Sequence, residues 1–184
     1  MQNGFGLQGL LSSIRYKIFA SYHHRGDQGY YDEFSRFFAE TYEIIRDNSL
    51  DRIIESDDTD YVIRCIRENY ISSTSCTFVL CGPQTRWRKY VDWEIKATLD
   101  KKHGVIGIKL PHNHYDEYGG VHKPDRLQDN LNTGYALWLN WEDLHQGHDF
   151  LRDMIKRANS QPSFLIDNSR PLRKRNGQEY AYSY

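Results

Sequence analysis

The chain has 184 residues, of which 39% are hydrophobic and 27% are charged, and its formal net charge is -1 at pH 7. This length suits one domain with a hydrophobic core of its own. The near balance of charge argues against a dedicated nucleic-acid binder, which would carry a strong basic excess. No apolar run reaches the roughly 20 residues that span a bilayer, and the first residues lack the features of a secretory signal. We therefore expect a cytoplasmic protein with no membrane or nucleic-acid partner.

The first part of the chain alternates apolar runs with segments of helical periodicity. Residues 16–22 predict a first strand, and residues 28–41 predict a helix whose Phe34, Phe37 and Phe38 face inward. Residues 42–45 favour a short edge strand, although they could also complete that helix. Residues 57–60 predict the cap of a next helix, because Asp and Thr side chains accept hydrogen bonds from free amides. The inner face of that helix should comprise Tyr61, Val62, Cys65, Ile66 and Asn69.

A buried strand is predicted at residues 76–81, followed by a Gly82–Pro83 break and a helix over residues 86–99. The spacing predicts an apolar stripe on this helix and, beside it, a stripe of Trp87, Tyr90 and Glu94. The cations and glycine of residues 101–104 predict its end. In an open α/β sheet the start of such a helix lies at the carboxyl edge of the strands, where ligands bind. Glu94 is thus a candidate functional residue, and the alternative is an ordinary solvated charge.

The second half continues the alternation. Residues 105–110 predict a strand stopped by Pro111, residues 111–133 a long polar loop, and residues 134–139 another strand. Residues 148–158 predict a closing helix, followed by an apolar piece at residues 164–166 and a polar tail. The pattern predicts an α/β, flavodoxin-like three-layer fold with a mostly parallel central sheet of about five strands. We assign residues 16–184 to this domain and residues 1–15 to an N-terminal extension.

Three groups of residues are set aside. The cysteines fit neither a disulfide framework nor a zinc site, so we read them as reduced thiols; they are Cys65, Cys76 and Cys81. The histidines of the long loop fit no zinc spacing, so we predict no metal; they are His112, His114 and His122. A short basic cluster in the tail is interpreted as solvated; it comprises Arg170, Arg173, Lys174 and Arg175.

Four segments, in this order, resemble the TIR domain and, more narrowly, the bacterial TIR-like family that includes ThsB of the Thoeris anti-phage system. They are residues 17–24, 72–83, 90–95 and 124–130, the last followed by Tyr135 and Ala136. The resemblance covers about residues 16–158 and supports a TIR-like domain. One departure concerns the helix that carries the glutamate. Many TIR enzymes place a Trp four residues before it, where this chain has Tyr90.

The resemblance implies an activity, because TIR enzymes cleave the nicotinamide–ribose bond of NAD+. NAD+ would be the substrate and no cofactor is implied. Such a reaction passes through an oxocarbenium-like centre, and the resemblance makes Glu94 the catalytic carboxylate that stabilises it. ThsB-like proteins make a cyclic ADP-ribose isomer as a messenger. The resemblance therefore implies an NAD+ glycohydrolase or ADP-ribosyl cyclase whose diffusible product activates a ThsA-type effector, with a phage-derived activator and self-association on activation.

Further substrate-binding candidates surround Glu94. Tyr22, His23 and His24 would follow the first strand at the carboxyl edge, although the two histidines could instead cap the next helix or face water. Two residues fall where TIR domains carry a mobile loop that completes a neighbour's site, namely Asp47 and Asn48. Three more border the site, namely Cys81, Trp87 and Tyr90.

Two other classes of function stay open. The chain could be a non-catalytic TIR-like module that assembles with other proteins through its helices and loops. It could also be a flavodoxin-like binder of a small molecule. A flavin site should show a loop rich in Ser, Thr and Gly after the first strand, and residues 23–27 do not supply one.

Overall fold

The computed structural model describes residues 16–39, 41–46 and 59–177. These residues include one five-stranded sheet in the order β2-β1-β3-β4-β5, and every neighbouring pair is parallel. This sheet and its flanking helices confirm the α/β, flavodoxin-like fold class. The strands are β1 (Tyr16–Ser21), β2 (Tyr42–Arg46), β3 (Cys76–Cys81), β4 (Gly104–Lys109) and β5 (Leu137–Asn140).

Five α-helices lie in the described residues and cover the sheet on two sides. They are α1 (His24–Phe38), α2 (Thr59–Ile66), α3 (Lys89–Asp100), α4 (Asp125–Asn132) and α5 (His148–Asn159). Buried residues of α1 and α5 share a cluster with one face of the sheet, whereas those of α2, α3 and α4 belong to clusters on the other face. The arrangement is therefore three layers. Among the described helices, none has the length and apolar character needed to cross a membrane.

The central strands are buried on both faces, as their continuous apolar runs predicted. All six residues of β3 are buried, and so are the first five of β4. Such runs are typical of parallel strands covered by helices on both sides. The alternating side chains of β1 show the same division, because Ile18 faces the α1 side and Phe19 the α2 side.

The first two helices differ in detail from the prediction. Helix α1 begins at His24 rather than residue 28 and ends at Phe38. Phe34 and Phe38 are buried one turn apart, but Phe37 is 44% exposed because it falls at the edge of the apolar face. On α2, Val62 and Ile66 are buried as expected and Tyr61 is exposed. Asn69 is also exposed, and it lies in the π-helical turn Arg67–Ile71 that follows α2. The predicted helix cap at residues 57–58 lies outside the described residues.

The elements around α3 also correct the prediction. Trp87 belongs to a 3-10 turn, Thr85–Trp87, that precedes α3, so it does not share a helical stripe with Glu94. Gly104 is the first residue of β4 rather than the helix cap, and a Cβ there would overlap Ala158 of α5. The left-handed position after α3 is taken by Lys102, with φ 57°.

The later part of the chain holds a further helix and an ordered tail. Helix α4 lies inside the stretch predicted as a polar loop, and β5 begins at Leu137, three residues later than expected. Residues 166–177, here called the strap, run back over α4 and the start of α3. The basic cluster is not simply solvated, because Arg170 pairs with Asp129 and Arg173 with Asp125.

Candidate active site

The strand order reverses at the carboxyl ends of β1 and β3, and this edge of the sheet is here called the crevice. These strands are neighbours, yet the chain leaves β1 towards β2 on one side and leaves β3 towards β4 on the other. Ligands of open α/β sheets bind at such a point of reversal. The residues that end the two strands here are Ser21 and Cys81.

Glu94 reaches this edge from α3. Its side chain is buried rather than solvated, with 4% of the residue exposed, and the hydroxyl of Ser21 donates a hydrogen bond to Glu94 Oε2. The helix is held to the sheet beside it by Val91 and Ile95, which pack in the core. The structure thus brings the predicted carboxylate to the end of β1.

A hydroxyl chain fixes α3 on β3. Thr98 Oγ1 donates to the main-chain oxygen of Glu94 at 2.8 Å, and it lies 2.7 Å from Thr77 Oγ1 of the strand. All three residues are buried. The Thr77–Thr98 bond crosses from the strand to the helix and ties α3 to β3 one turn after Glu94.

This arrangement suits the stabilisation of positive charge. Burying a carboxylate is costly unless it is hydrogen-bonded, and here a Ser21 hydroxyl supplies one such bond. A fixed anion in a site of low dielectric interacts strongly with a cationic centre that forms beside it. A hydroxyl partner orients the carboxylate without neutralising its charge.

The residues after β1 are packed into the α1 side of the edge. The buried ring of Tyr22 stacks on His24 at 4.3 Å and on Tyr31 at 4.6 Å, and its hydroxyl donates to Gln28 at 2.9 Å. His23 occupies the N-cap position of α1, where its main-chain oxygen accepts from the Asp27 amide at 2.8 Å. The His23 side chain makes no capping hydrogen bond, so only its main chain takes part in the start of the helix.

The remaining candidates lie along the strand end and the start of α3. Burial raises the pKa of the Cys81 thiol, and the nearby Asp27 carboxylate raises it further, so this cysteine is a poor nucleophile. The Arg86 guanidinium lies over the Trp87 ring at 4.3 Å. The Tyr90 ring contacts Trp93 at 5.3 Å. Asp47 and Asn48 lie outside the described residues.

A second buried carboxylate, Asp27 of α1, lies at the same edge of the sheet. The sequence did not single it out. Asp27 Oδ2 accepts a hydrogen bond from Thr85 Oγ1 at 2.9 Å, and Asp27 Oδ1 lies 2.9 Å from Nε2 of His112. Burial raises the pKa of the Asp27 carboxyl, although the bonds to Thr85 and His112 partly oppose that rise. Through these two contacts, Asp27 joins the start of α1 to the segments that follow β3 and β4.

One sequence signal could have found this contact. Gly82 follows β3 directly, and a Cβ at that position would overlap the Asp27 carboxylate. A glycine at a strand end can mark the close approach of another group. The partner itself was out of reach, because Thr85 lies 58 positions from Asp27 and His112 lies 85.

The outer side of α3 holds a buried ion pair. Asp92 accepts from Nε of Arg126 at 2.9 Å and from the main-chain amide of Arg173 at 2.9 Å. Arg126 is completely buried, and it also donates to Asn168 and to the main-chain oxygen of Arg170. Arg126 lies in the segment 124–130, whose sequence gives no sign that this arginine pairs with Asp92.

The chain matches the family described as Thoeris protein ThsB, TIR-like domain, over residues 19–115, which is more than half of its length. The matched range contains both buried carboxylates of the crevice, Glu94 and Asp27, and the hydroxyl of Ser21. It ends before α4, β5, α5 and the strap. No curated protein matches the chain.

Proposed function

We propose, since this chain belongs to the ThsB TIR-like domain family of Thoeris anti-phage defence, that it is an enzyme that cleaves NAD+. The observation that carries the proposal is the buried carboxylate of Glu94, held by Ser21 at the reversal point of the sheet. This is where an α/β sheet of this order receives ligands. The position of Glu94 also agrees with the glutamate helix of TIR enzymes that the sequence resembles.

The chemistry requires only one carboxylate. Nicotinamide leaves NAD+ as a neutral molecule, taking the electron pair of the glycosidic bond, so it needs no proton from an acid. Positive charge then develops at the ribose, as in the oxocarbenium-like transition states of glycoside cleavage. Glu94 would stabilise that charge, and the Ser21 hydroxyl would keep its carboxylate in place.

The product depends on the group that attacks the ribose. Water would give ADP-ribose, whereas a hydroxyl of the adenosine half would give a cyclic isomer. We propose the cyclic isomer, acting as a messenger that diffuses to a ThsA-type effector. On this proposal the protein works in the cytoplasm, is activated by a phage-derived factor and self-associates on activation. His24 and Tyr90 are the aromatic groups we propose for substrate contact.

The test is nicotinamide release from NAD+, followed by chromatography. The full chain is assayed both as purified protein and in lysate of phage-infected cells, because the lysate supplies the phage-derived activator that the purified protein lacks. Glu94→Gln serves as the matched control, since it keeps the size of the side chain and removes the charge. We expect this variant to release nicotinamide at least about a hundredfold more slowly while unfolding at the wild-type temperature.

Two results would overturn the proposal. One is equal release by wild type and Glu94→Gln. The other is no release by the wild type in either preparation, which would favour the non-catalytic interaction module. Mass spectrometry of the ADP-ribosyl product in the same samples separates a cyclic isomer from linear ADP-ribose.

A further inference from the structure

The first turn of α3 takes its cap from a distant part of the chain. A helix begins with amides that have no partner within it, and the N-cap residue Arg88 makes no side-chain capping bond. Instead, Asn176 Oδ1 of the strap accepts from the Lys89 amide at 2.9 Å. The strap thus does for α3 what a local Ser or Asp does for most helices.

Three more bonds join the strap to the start of this helix. The Arg173 amide donates to Asp92 at 2.9 Å, and Trp93 Nε1 donates to the Arg173 main-chain oxygen at 2.9 Å. The Gly177 amide donates to the main-chain oxygen of Trp87 at 2.9 Å. Asp92 and Trp93 directly precede Glu94, so the strap holds the turn from which the carboxylate projects.

The other end of the strap is anchored on α4. Asn130 donates to the Asp167 main-chain oxygen at 2.7 Å and accepts from the Asp167 amide at 3.0 Å. The buried Arg126 donates to the Asn168 side chain at 2.8 Å and to the Arg170 main-chain oxygen at 2.9 Å. A segment tied at both ends by buried polar groups is a fixed part of the fold.

We propose that the strap is a positioning element for Glu94. The sheet contacts hold the inner side of α3 and the strap holds its outer side, and together they set the rotation of the first turns. The inference rests on the proposed NAD+ cleavage. A small misplacement of a catalytic group can lower turnover by up to about a hundredfold, so loosening the strap should lower kcat. It should leave KM nearly unchanged, because no strap residue is placed at the substrate.

The test compares four substitutions in the full chain. Asn176→Ala removes the capping acceptor, whereas Asn176→Asp keeps an oxygen at that position and is the rescue variant. Trp93→Phe removes the indole donor to the strap and keeps an aromatic ring in the core. Asn69→Ala, on the exposed turn after α2, is the matched control for an asparagine-to-alanine change.

Two readouts are measured on each variant. The first is kcat and KM of nicotinamide release, in whichever preparation activates the wild type. The second is hydrogen–deuterium exchange of the peptides that cover residues 88–93, which reports the cap without reference to activity. We expect Asn176→Ala and Trp93→Phe to lower kcat by about fivefold or more, with KM within about twofold, and to speed exchange in this turn. Asn176→Asp and Asn69→Ala should resemble the wild type in both readouts.

The outcomes distinguish a failure of the strap proposal from a failure of the proposed NAD+ cleavage. Faster exchange in Asn176→Ala with wild-type kcat would overturn the strap as a positioning element while NAD+ cleavage stands. Failure of Asn176→Asp to restore kcat when it restores exchange would overturn it as well. A wild type that releases no nicotinamide overturns the proposed function, and the positioning proposal falls with it, whatever the exchange shows.

Discussion

Helix α3 carries two buried carboxylates only two residues apart, and they are held in different ways. Asp92 faces the strap, where it meets the guanidinium of the fully buried Arg126 and a main-chain amide. Glu94 faces the sheet, where the hydroxyl of Ser21 donates to it. Burial is nearly the same for the two residues, at 6% and 4% exposure.

The difference teaches that burial alone does not identify a functional carboxylate. The charge of Asp92 is matched by a cation that the fold supplies, which is typical of a structural ion pair. The bond from Ser21 instead fixes the direction of the Glu94 carboxylate at the end of β1. If this comparison is right, breaking the Asp92–Arg126 pair should chiefly change stability, and removing the Ser21 hydroxyl should chiefly change turnover.

The largest effect expected on stability comes from Arg126→Met. It leaves Asp92 buried without its cation, and breaking a buried pair in this way costs about 3–5 kcal/mol of unfolding free energy. Urea unfolding followed by circular dichroism measures the loss. The double variant Arg126→Met with Asp92→Asn removes both charges and should recover part of it. A loss below about 1 kcal/mol in the single variant would mean that the pair is not the structural element described here.

On the sheet side we expect Ser21→Ala to affect turnover more than stability. The variant removes the donor that orients Glu94, so kcat for nicotinamide release should fall by about tenfold, in line with the loss of one hydrogen bond of about 1.4 kcal/mol. The unfolding free energy should fall by a similar or smaller amount. Thr74→Val is the matched control, because it removes a buried hydroxyl that bonds the main-chain oxygen of Ile71 before the amino end of β3. Equal kcat losses in the two variants would show that the Ser21 hydroxyl has no special role in orienting Glu94.

The third buried carboxylate, Asp27, should make the stability of the protein depend on pH. Burial raises the pKa of its carboxyl above the ordinary value of 3.8, so the folded state holds this proton more tightly than the unfolded state. Stability contributed by this group therefore falls as pH rises from the unfolded towards the folded pKa. Asp27→Asn lacks that titration and keeps an acceptor for Thr85. Relative to the wild type, this variant should therefore become more stable, with a larger free energy of unfolding, as pH rises from about 4 to about 7.

That change should be smaller than the loss expected for Arg126→Met, because hydrogen bonds from Thr85 and His112 oppose the effect of burial on the pKa of Asp27. Chemical unfolding at several pH values measures it. Asp32→Asn removes an exposed carboxylate from the same helix and is the control. A difference for Asp27→Asn that moves the other way with pH would show that the bond to His112 outweighs burial.

The sequence predicted what periodicity can encode. The apolar run of β3 and the stripe of Val91, Ile95 and Leu99 placed a buried strand before an amphipathic helix, and the fold confirms both. That order alone puts Glu94 near a strand end. The start of the helix was predicted less accurately, because Trp87 fits the helical spacing yet belongs to the preceding 3-10 turn.

Side-chain partners from distant elements were beyond the reach of such patterns. The Ser21–Glu94 bond joins positions 73 apart, and the Asp27–His112 contact joins positions 85 apart. Nothing in the local spacing of either residue marks its partner. Helix α4 was missed for a related reason, since its surroundings are rich in polar residues, and its Arg126 is buried only because Asp92 and the strap receive it.

The bond from Lys89 to Asn176 has a consequence for how the protein is made. The two residues are 87 positions apart, so the ribosome must synthesise all the intervening chain before the bond can form. Contacts between residues so far apart also form slowly during folding. A nascent chain that has already paired β1 with β3 still carries a helix with an open first turn. On the proposal made here, the protein acquires its catalytic competence late in its own synthesis, after its sheet is in place.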